Sequence, residues 1–342
     1  MRSYFLRRLL LIPPTLFGIT IIVFLITRVV PGGPIERAIM EMQSANVSAG
    51  VSVGGSLGNQ HQALSEEQMQ QLKEYYGFDK PPIISYLHWV GNVLRGDLGT
   101  SYRYNEPVWD IIKSRFPISI FYGLLTLFIV YLVCIPLGIL KAIKHRTFVD
   151  NASSILIFTG YAIPGYVLGA LLVVFFAARM EWFPMGGFTS IYFEELEFWE
   201  KVKDIFWHAI LPLCSYLIGS FALVTLLMKN HLMDNLAADY IRTAVAKGVS
   251  FKKAVVNHAL RNSLIPIATT FGQNIILLVG GSFLIETIFD INGFGLLGFT
   301  AILDRDYPIV MGVLLLTSIL LLLGNIISDF LVAIVDPRVR FQ

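Results

Sequence analysis

Charge is what this chain has least of. Only 15% of its 342 residues are Asp, Glu, Lys or Arg, where a soluble domain carries about 25%. Hydrophobic residues make up 55%, and the mean hydropathy is +0.66. This composition excludes an ordinary water-soluble domain and points to a polytopic membrane protein. The net charge of +2 is too small to serve a nucleic acid, and the basic residues are spread along the loops. Cysteine is almost absent. Cys134 and Cys214 both fall inside apolar runs, where they serve as small packing residues. They form neither a disulfide framework nor a metal site, and leave the redox compartment open.

Catalytic signatures are missing too. No GxxxxGK followed by Ser or Thr occurs, so the glycines at Gly280, Gly281, Gly293, Gly295 and Gly298 form no nucleotide loop. No HExxH motif or paired Cys/His cluster suggests a metal. The six histidines are scattered; His258 reads as a surface residue and His208 as an interfacial one. Glu286 and Asp329 lie near opposite ends of adjacent apolar runs, so they cannot act as a carboxylate dyad. Neither enzyme chemistry nor a cofactor held by this chain is expected.

Six uncharged stretches are long enough to cross a hydrocarbon core, which takes about 20 helical residues. They are Leu9–Thr27, Phe116–Leu140, Asn151–Ala178, Ala209–Met228, Asn262–Ile285 and Tyr307–Ser328. In lipid the backbone must bond within each segment, so each is expected to be a helix. Pro13-Pro14, Pro136, Pro164-Gly165, Pro212 and Gly280-Gly281 interrupt them; each marks a kink or a broken helix lining a path. The amino end carries Arg2, Arg7 and Arg8, but the apolar run after it is longer than a signal peptide's about 7–15 residues, so it reads as a retained first span.

Flanking charge sets the orientation. Lys141, Lys144 and Arg146 follow span two; Lys229, Arg242, Lys247, Lys252, Lys253 and Arg261 lie between spans four and five; Arg338 and Arg340 close the chain. The positive-inside rule makes these sides cytoplasmic, with both termini inside. The acidic segment holding Glu181, Glu194, Glu195, Glu197, Glu200 and Asp204 fits outside, as does the one holding Asp290, Asp304 and Asp306. The chain thus divides into an amino end with the first span (1–30), an extracytoplasmic segment (31–115) and a core with the remaining five spans (116–342).

Within 31–115, residues 44–58 read as a flexible excursion. Ser65-Glu66-Glu67-Gln68 resembles a capping box opening a helix through Tyr76, ended by Gly77. A second helix is expected from Pro82 to Leu94, with Ile84, Leu87, His88 and Trp89 or Val90 on one face. A turn at 96–101 follows, and Glu106-Pro107-Val108 starts a short helix leading to Pro117. So long a segment either caps the outer mouth or meets a soluble partner.

The loop 230–263 is basic and reads as an elbow of two short helices. Ala238, Ile241, Ala244, Val245 and Gly248 recur at helical spacing. Gly248 stops the first helix, Ser250 caps a second running from Phe251 to Asn262, and Pro266 opens the next span. Its charge alone fits a solvated loop.

Two sets of motifs carry a resemblance. RTAVAKGVS followed by HALRNSLIP is similar to the cytoplasmic EAA loop of permeases in binding-protein-dependent ABC importers, with Arg242-Thr243-Ala244 standing where Glu-Ala-Ala would be. FLRRLL, PGGP, YGFDKP and GDLGTS, then Glu286-Thr287-Ile288-Phe289, Gly293 to Gly298, Arg305-Asp306-Tyr307-Pro308, Asn325, Asp329 and Asp336-Pro337-Arg338 resemble the ordered signature of the dipeptide/oligopeptide permease family. PGGPIERA, GYAIPGY, FLIETIF and VDPRVRF look closest to its peptide and microcin C subgroup.

The resemblance covers nearly the whole chain. It implies an all-α, six-helix, type I importer permease in the bacterial inner membrane. It further implies a second homologous permease subunit, two cytoplasmic ATPase subunits holding ATP and Mg, and an extracytoplasmic peptide-binding protein. The elbow then sits in a groove of the ATPase, through Asp239, Tyr240, Arg242, Thr243, Ala244, Lys247, Gly248, His258, Arg261, Asn262 and Pro266. Gly280, Gly281, Glu286 and Asn325 are the candidates for lining the path. Glu286 alone reads either as a hydrated interfacial charge or as a group in the outward vestibule. The rival reading is a secondary transporter or channel working alone, which would place ionisable groups at mid-membrane; the six spans have essentially none.

Overall fold

The structure is a computed structural model that describes residues 2–30, 33–36, 39–40, 66–280 and 282–336. The excursion at 44–58, Ser65, Gly281 and Pro337-Arg338 lie outside the described residues. Within them the chain is helical, and one isolated bridge, Thr100 to Pro107, is the sole β pairing.

Helices α1 (Arg2–Val29), α2 (Glu66–Tyr75), α3 (Pro82–Leu94), α4 (Val108–Ile143), α5 (Phe148–Ala162) and α6 (Gly165–Leu172) make up the first half; a π turn, Val173–Arg179, extends α6. The 40-residue α7 (Phe198–Ala237) leads into the elbow, α8 (Asp239–Ala246) and α9 (Phe251–Ala254). A π turn (Val255–Ala259) joins α9 to α10 (Leu260–Ser263). After it come α11 (Ile265–Gly280), α12 (Phe283–Ile288), α13 (Phe294–Leu303) and α14 (Tyr307–Val335).

Among the described residues, four helices are long and apolar enough to cross a membrane: α1, α4, α7 and α14. A fifth is present if α5 and Gly165–Arg179 count as one span, but these are bent by 90°. The six expected spans are therefore not six plain helices. Prolines explain part of the difference. The chain runs helical through Pro13-Pro14, Pro117, Pro136 and Pro212. At Pro164 it does not, because Ile163 takes the extended conformation (φ −92°, ψ 118°) that a following proline favours. The expected fifth span is divided: Asn262 belongs to the elbow, α11 is 16 residues long and ends at Gly280, and α12 starts afresh at Phe283. At about 1.5 Å per residue, α11 is shorter than a bilayer core. The short helix expected after Pro107 is the beginning of α4, which continues without a break through Pro117.

The chain forms two compact units, neither continuous in sequence. One comprises Pro13–Ile112 and Thr300–Leu316. Here α3 spans the expected residues but presents a different face. Tyr86 is buried with Trp89 and Val90 beside it, whereas Ile84 and Leu87 are exposed. Tyr86 inserts between Phe17 and Phe24 and shares a 2.8 Å hydrogen bond with Thr20. An aromatic ring with a hydroxyl partner outcompetes the smaller aliphatics for the interior. In the same unit, two of the family-like motifs meet. Ser101 Oγ donates to Asp306 at 2.5 Å, the Arg103 N–H donates to the same carboxylate at 3.2 Å, and Arg103 pairs with Asp304. GDLGTS and RDYP are thus two halves of one clasp.

The other unit comprises Met1–Ile12, Lys113–Phe299 and Thr317–Gln342. Arg8 pairs with Asp329 at 2.6 Å, tying the start of α1 to the end of α14. This unit holds both candidate sites.

Candidate functional site

The elbow forms as its sequence dictates. Gly248 sits at φ +87°, a left-handed conformation that L side chains resist. Its N–H donates to Val245 O and that of Val249 to Ala244 O, closing α8 with the pattern of a glycine C-cap. Ser250 occupies the N-cap of α9 without a side-chain bond. Pro266 is the second residue of α11, where its missing N–H costs nothing.

One side of the elbow is anchored and the other is bare. Ile241 is buried against Met228, Leu232, Ala254 and Ala259. Tyr240 Oη donates to Asn235 at 2.6 Å and accepts from Asn262, while Asn235 donates to Ser263 and to His231 O. Thr243 bonds back to Asp239 O, and Arg242 lies 3.7 Å from Asp239. Arg261 donates to the last carbonyls of α14, Ile334 and Val335, which have no partner within their own helix. Asp239, Arg242, Thr243, Lys247, Gly248 and His258 are exposed, as are the apolar Val245, Phe251 and Val256; Ala244 is half-buried.

Beside the elbow's anchor lies an ionic knot that the sequence does not suggest. Lys141 is 0% exposed. Its ammonium donates to Asp150 O, Ser153 Oγ and Ser154 Oγ at 2.7–2.8 Å and lies 3.1 Å from the Asp150 carboxylate. Lys229 bonds both Asp150 oxygens, at 2.7 and 2.9 Å. The knot joins α4, α5 and α7. Removing one member of such a buried pair costs about 3–5 kcal/mol, so the knot fastens these three helices to one another. Lys141 and Lys229 are therefore not simply solvated loop charges.

The second site is a cavity of about 290 Å³ inside the same unit. One face of α4 lines it with Ser119, Tyr122, Thr126 and Tyr131, and one face of α7 with Ser215, Gly219 and Ser220. Ser119, Tyr122 and Thr126, and likewise Ser215 and Gly219, stand three or four residues apart, as one helix face requires. Both helix breaks reach it: Gly165 stands just after the first, and Ser282 and Glu286 just after the second. Gly165 is indispensable there, since a Cβ would approach Ser215 O to 2.5 Å. Asn274 adds an amide that donates to Tyr131 at 2.8 Å. Two hydroxyls, those of Tyr122 and Thr126, are buried without a hydrogen-bond partner. Left so, each would cost about 1–3 kcal/mol.

Glu286 is not the hydrated interfacial charge that its position suggests; it is 2% exposed. Its carboxylate accepts the Leu296 N–H at 2.5 Å and so holds the first turn of α13, where a negative charge suits the helix dipole. A Cβ on Gly293 would run into this carboxylate, which explains why glycine stands there. Ten residues separate the acid from its partner, too far for a capping pattern to be read from sequence. Gly280 ends α11 at the second break, Gly281 lies outside the described residues, and Asn325 is half-buried on α14, away from the cavity's lining.

The model of the family described as binding-protein-dependent transport system inner membrane component matches residues 134–341, which include the elbow and most of the cavity. The chain belongs to that family. It is 38% identical, over 100% of its length and 99% of the relative's, to the peptidoglycan transport system permease protein YejB of Agrobacterium fabrum. It is equally identical to the inner membrane ABC transporter permease protein YejB of Escherichia coli O157:H7, over the whole of both chains. The oligopeptide transport system permease protein AppB of Bacillus subtilis is 33% identical, again over the whole of both. As an inner membrane component of such a system, the chain is a multi-pass membrane subunit.

Proposed function

We propose that this chain is a permease subunit of an ATP-driven importer of peptides or modified peptides, with the cavity of α4 and α7 as its part of the passage. One observation carries the reading. Two helix breaks, after Ile163 and after Gly280, border one largely apolar cavity set with hydroxyl groups, in which no lysine, arginine or histidine stands among the described lining residues. Non-helical backbone at membrane depth is tolerated where it lines a cavity, and that is where transporters bind cargo.

The energy enters from other chains: two ATPase subunits holding ATP and Mg lie beneath this subunit and a second, homologous one, and an extracytoplasmic binding protein delivers the cargo. The elbow and both termini lie in the cytoplasm. The bare face around Val245, Gly248 and Phe251 seats in the ATPase, and closure of the ATPases moves the elbow. Ile241, Tyr240 and Arg261 pass that movement to α7 and α14, and the Lys141–Asp150–Lys229 knot carries it to α4 and α5.

Orientation and docking are tested together by cysteine chemistry. The background is Cys214→Ser, because Cys214 is exposed. Lys247→Cys is expected to resist a membrane-impermeant thiol reagent outside intact cells and to cross-link to the ATPase. Ile191→Cys, on a residue 96% exposed in the acidic loop, is expected to react from outside. The reverse labelling pattern, or no cross-link from position 247, would contradict the reading.

A further inference from the structure

The cavity's chemistry says which part of a peptide it would hold. Tyr122 is 3% exposed, yet its hydroxyl has no partner, and the same is true of the Thr126 hydroxyl four residues on. A helical threonine ordinarily spends its hydroxyl on a carbonyl one turn back, so an unspent one is informative. The other polar groups of the lining are largely engaged. Ser119 accepts from Phe294 N, Ser215 donates to Leu211 O, and Asn274 donates to Tyr131. The carboxylate of Glu286, the one acidic side chain among the described lining residues, is held by Leu296 N. Of the lining side chains, Tyr122 and Thr126 are the ones whose hydroxyls are buried without a partner among the described residues.

We propose that Tyr122 and Thr126 hold main-chain carbonyl groups of the passing peptide, so that the passage grips the backbone of its cargo and does not read its side chains. This rests on the reading of the cavity as the passage. Every residue of every peptide carries the same carbonyl, and a hydroxyl donor serves each in turn. Among the described lining residues Glu286 alone is a carboxylate and none is basic, so these two uncharged hydroxyls are the part of the wall that treats lysine and glutamate side chains alike. Selection among peptides is then left to the binding protein.

The test uses the complete complex in proteoliposomes, with binding protein, ATPases and ATP. The probes are trialanine and the tripeptides with lysine or glutamate at the centre. Tyr122→Phe and Thr126→Val are each expected to lower uptake about 2- to 12-fold, the range of one neutral hydrogen bond. The factor should be the same for all three peptides. Thr126→Ser, which keeps the hydroxyl, should restore uptake. Thermal stability should not fall, because an unpartnered buried hydroxyl is lost rather than a bond.

Unchanged uptake in both variants would overturn the proposal, as would a loss confined to one charged peptide. A loss of uptake matched by a loss of stability would do the same, since the hydroxyls would then hold helices rather than cargo. Gly219→Trp, measured alongside, separates the two levels. If it also transports normally, the passage lies elsewhere and the underlying reading fails. If it blocks while Tyr122→Phe and Thr126→Val do not, only the grip on the backbone is wrong.

Discussion

Replacing Gly219 with tryptophan is expected to stop uptake while the protein still inserts and assembles. Gly219 lies on the face of α7 that lines the cavity, and a Cβ placed there meets nothing within 4 Å. The backbone at this position therefore has room for a side chain to start. In a helix interior it even removes the conformational cost of glycine, about 0.5–1 kcal/mol relative to alanine. What changes is the space itself: the bulkiest side chain enters a void of about 290 Å³. Gly219→Ala, which occupies little of it, should transport nearly as well as the parent. Uptake of a labelled tripeptide into proteoliposomes, with complex recovery checked by co-purification, reads both arms. Near-normal uptake by the tryptophan variant would mean that cargo does not cross here.

The second large effect is expected at the elbow. At φ +87° and with open space around it, Gly248 is required for its backbone and not for room. A left-handed L-residue costs about 1–2 kcal/mol, and a β-branched one is worse off still. Gly248→Val should therefore re-form the turn and shift α8 against α9. A strain of that size corresponds to about 5- to 30-fold in a conformational equilibrium. Uptake and binding-protein-stimulated ATP hydrolysis should fall together by that order, with insertion intact. Gly248→Asn, a residue that tolerates the left-handed region, should keep most of the activity. A valine variant that couples as well as the parent would show that this turn does not carry the stroke.

The elbow was legible because its signals are local. A polar, basic stretch between apolar runs, a glycine at the C-cap, a serine at the next N-cap and a proline at the following helix start lie within 20 residues of one another, and the structure places a helix end or start at each, although Ser250 makes no side-chain cap bond and the second helix, expected unbroken from Phe251 to Asn262, is interrupted by the π turn Val255–Ala259. The cavity was harder to see. In lipid the outside of a helix is as apolar as its inside, so hydrophobicity does not mark the inner face. The informative signal was the reverse: hydroxyls and small residues at Ser119, Tyr122 and Thr126, and at Ser215, Gly219 and Ser220, inside otherwise apolar spans. Tyr86 was hidden behind Ile84 and Leu87 for a different reason: its partners Phe17, Thr20 and Phe24 lie more than 60 residues away on α1. Long-range pairings left no trace. Lys141 and Lys229 read as ordinary flanking charges, because Lys229 stands 79 residues from Asp150. The break at Pro164 was visible as a Pro-Gly pair, a turn signal that Pro136 and Pro212, through which the helix continues, do not carry.

On the reading proposed here, the chain supplies a passage and a lever, and partner chains supply the energy. The most direct measurement is peptide uptake into vesicles holding this chain alone, compared with vesicles holding the full set of partner chains. Uptake that requires every partner and stops without ATP is the result predicted here. Peptide accumulating behind this chain alone, without nucleotide or driven by a proton or sodium gradient, would contradict it.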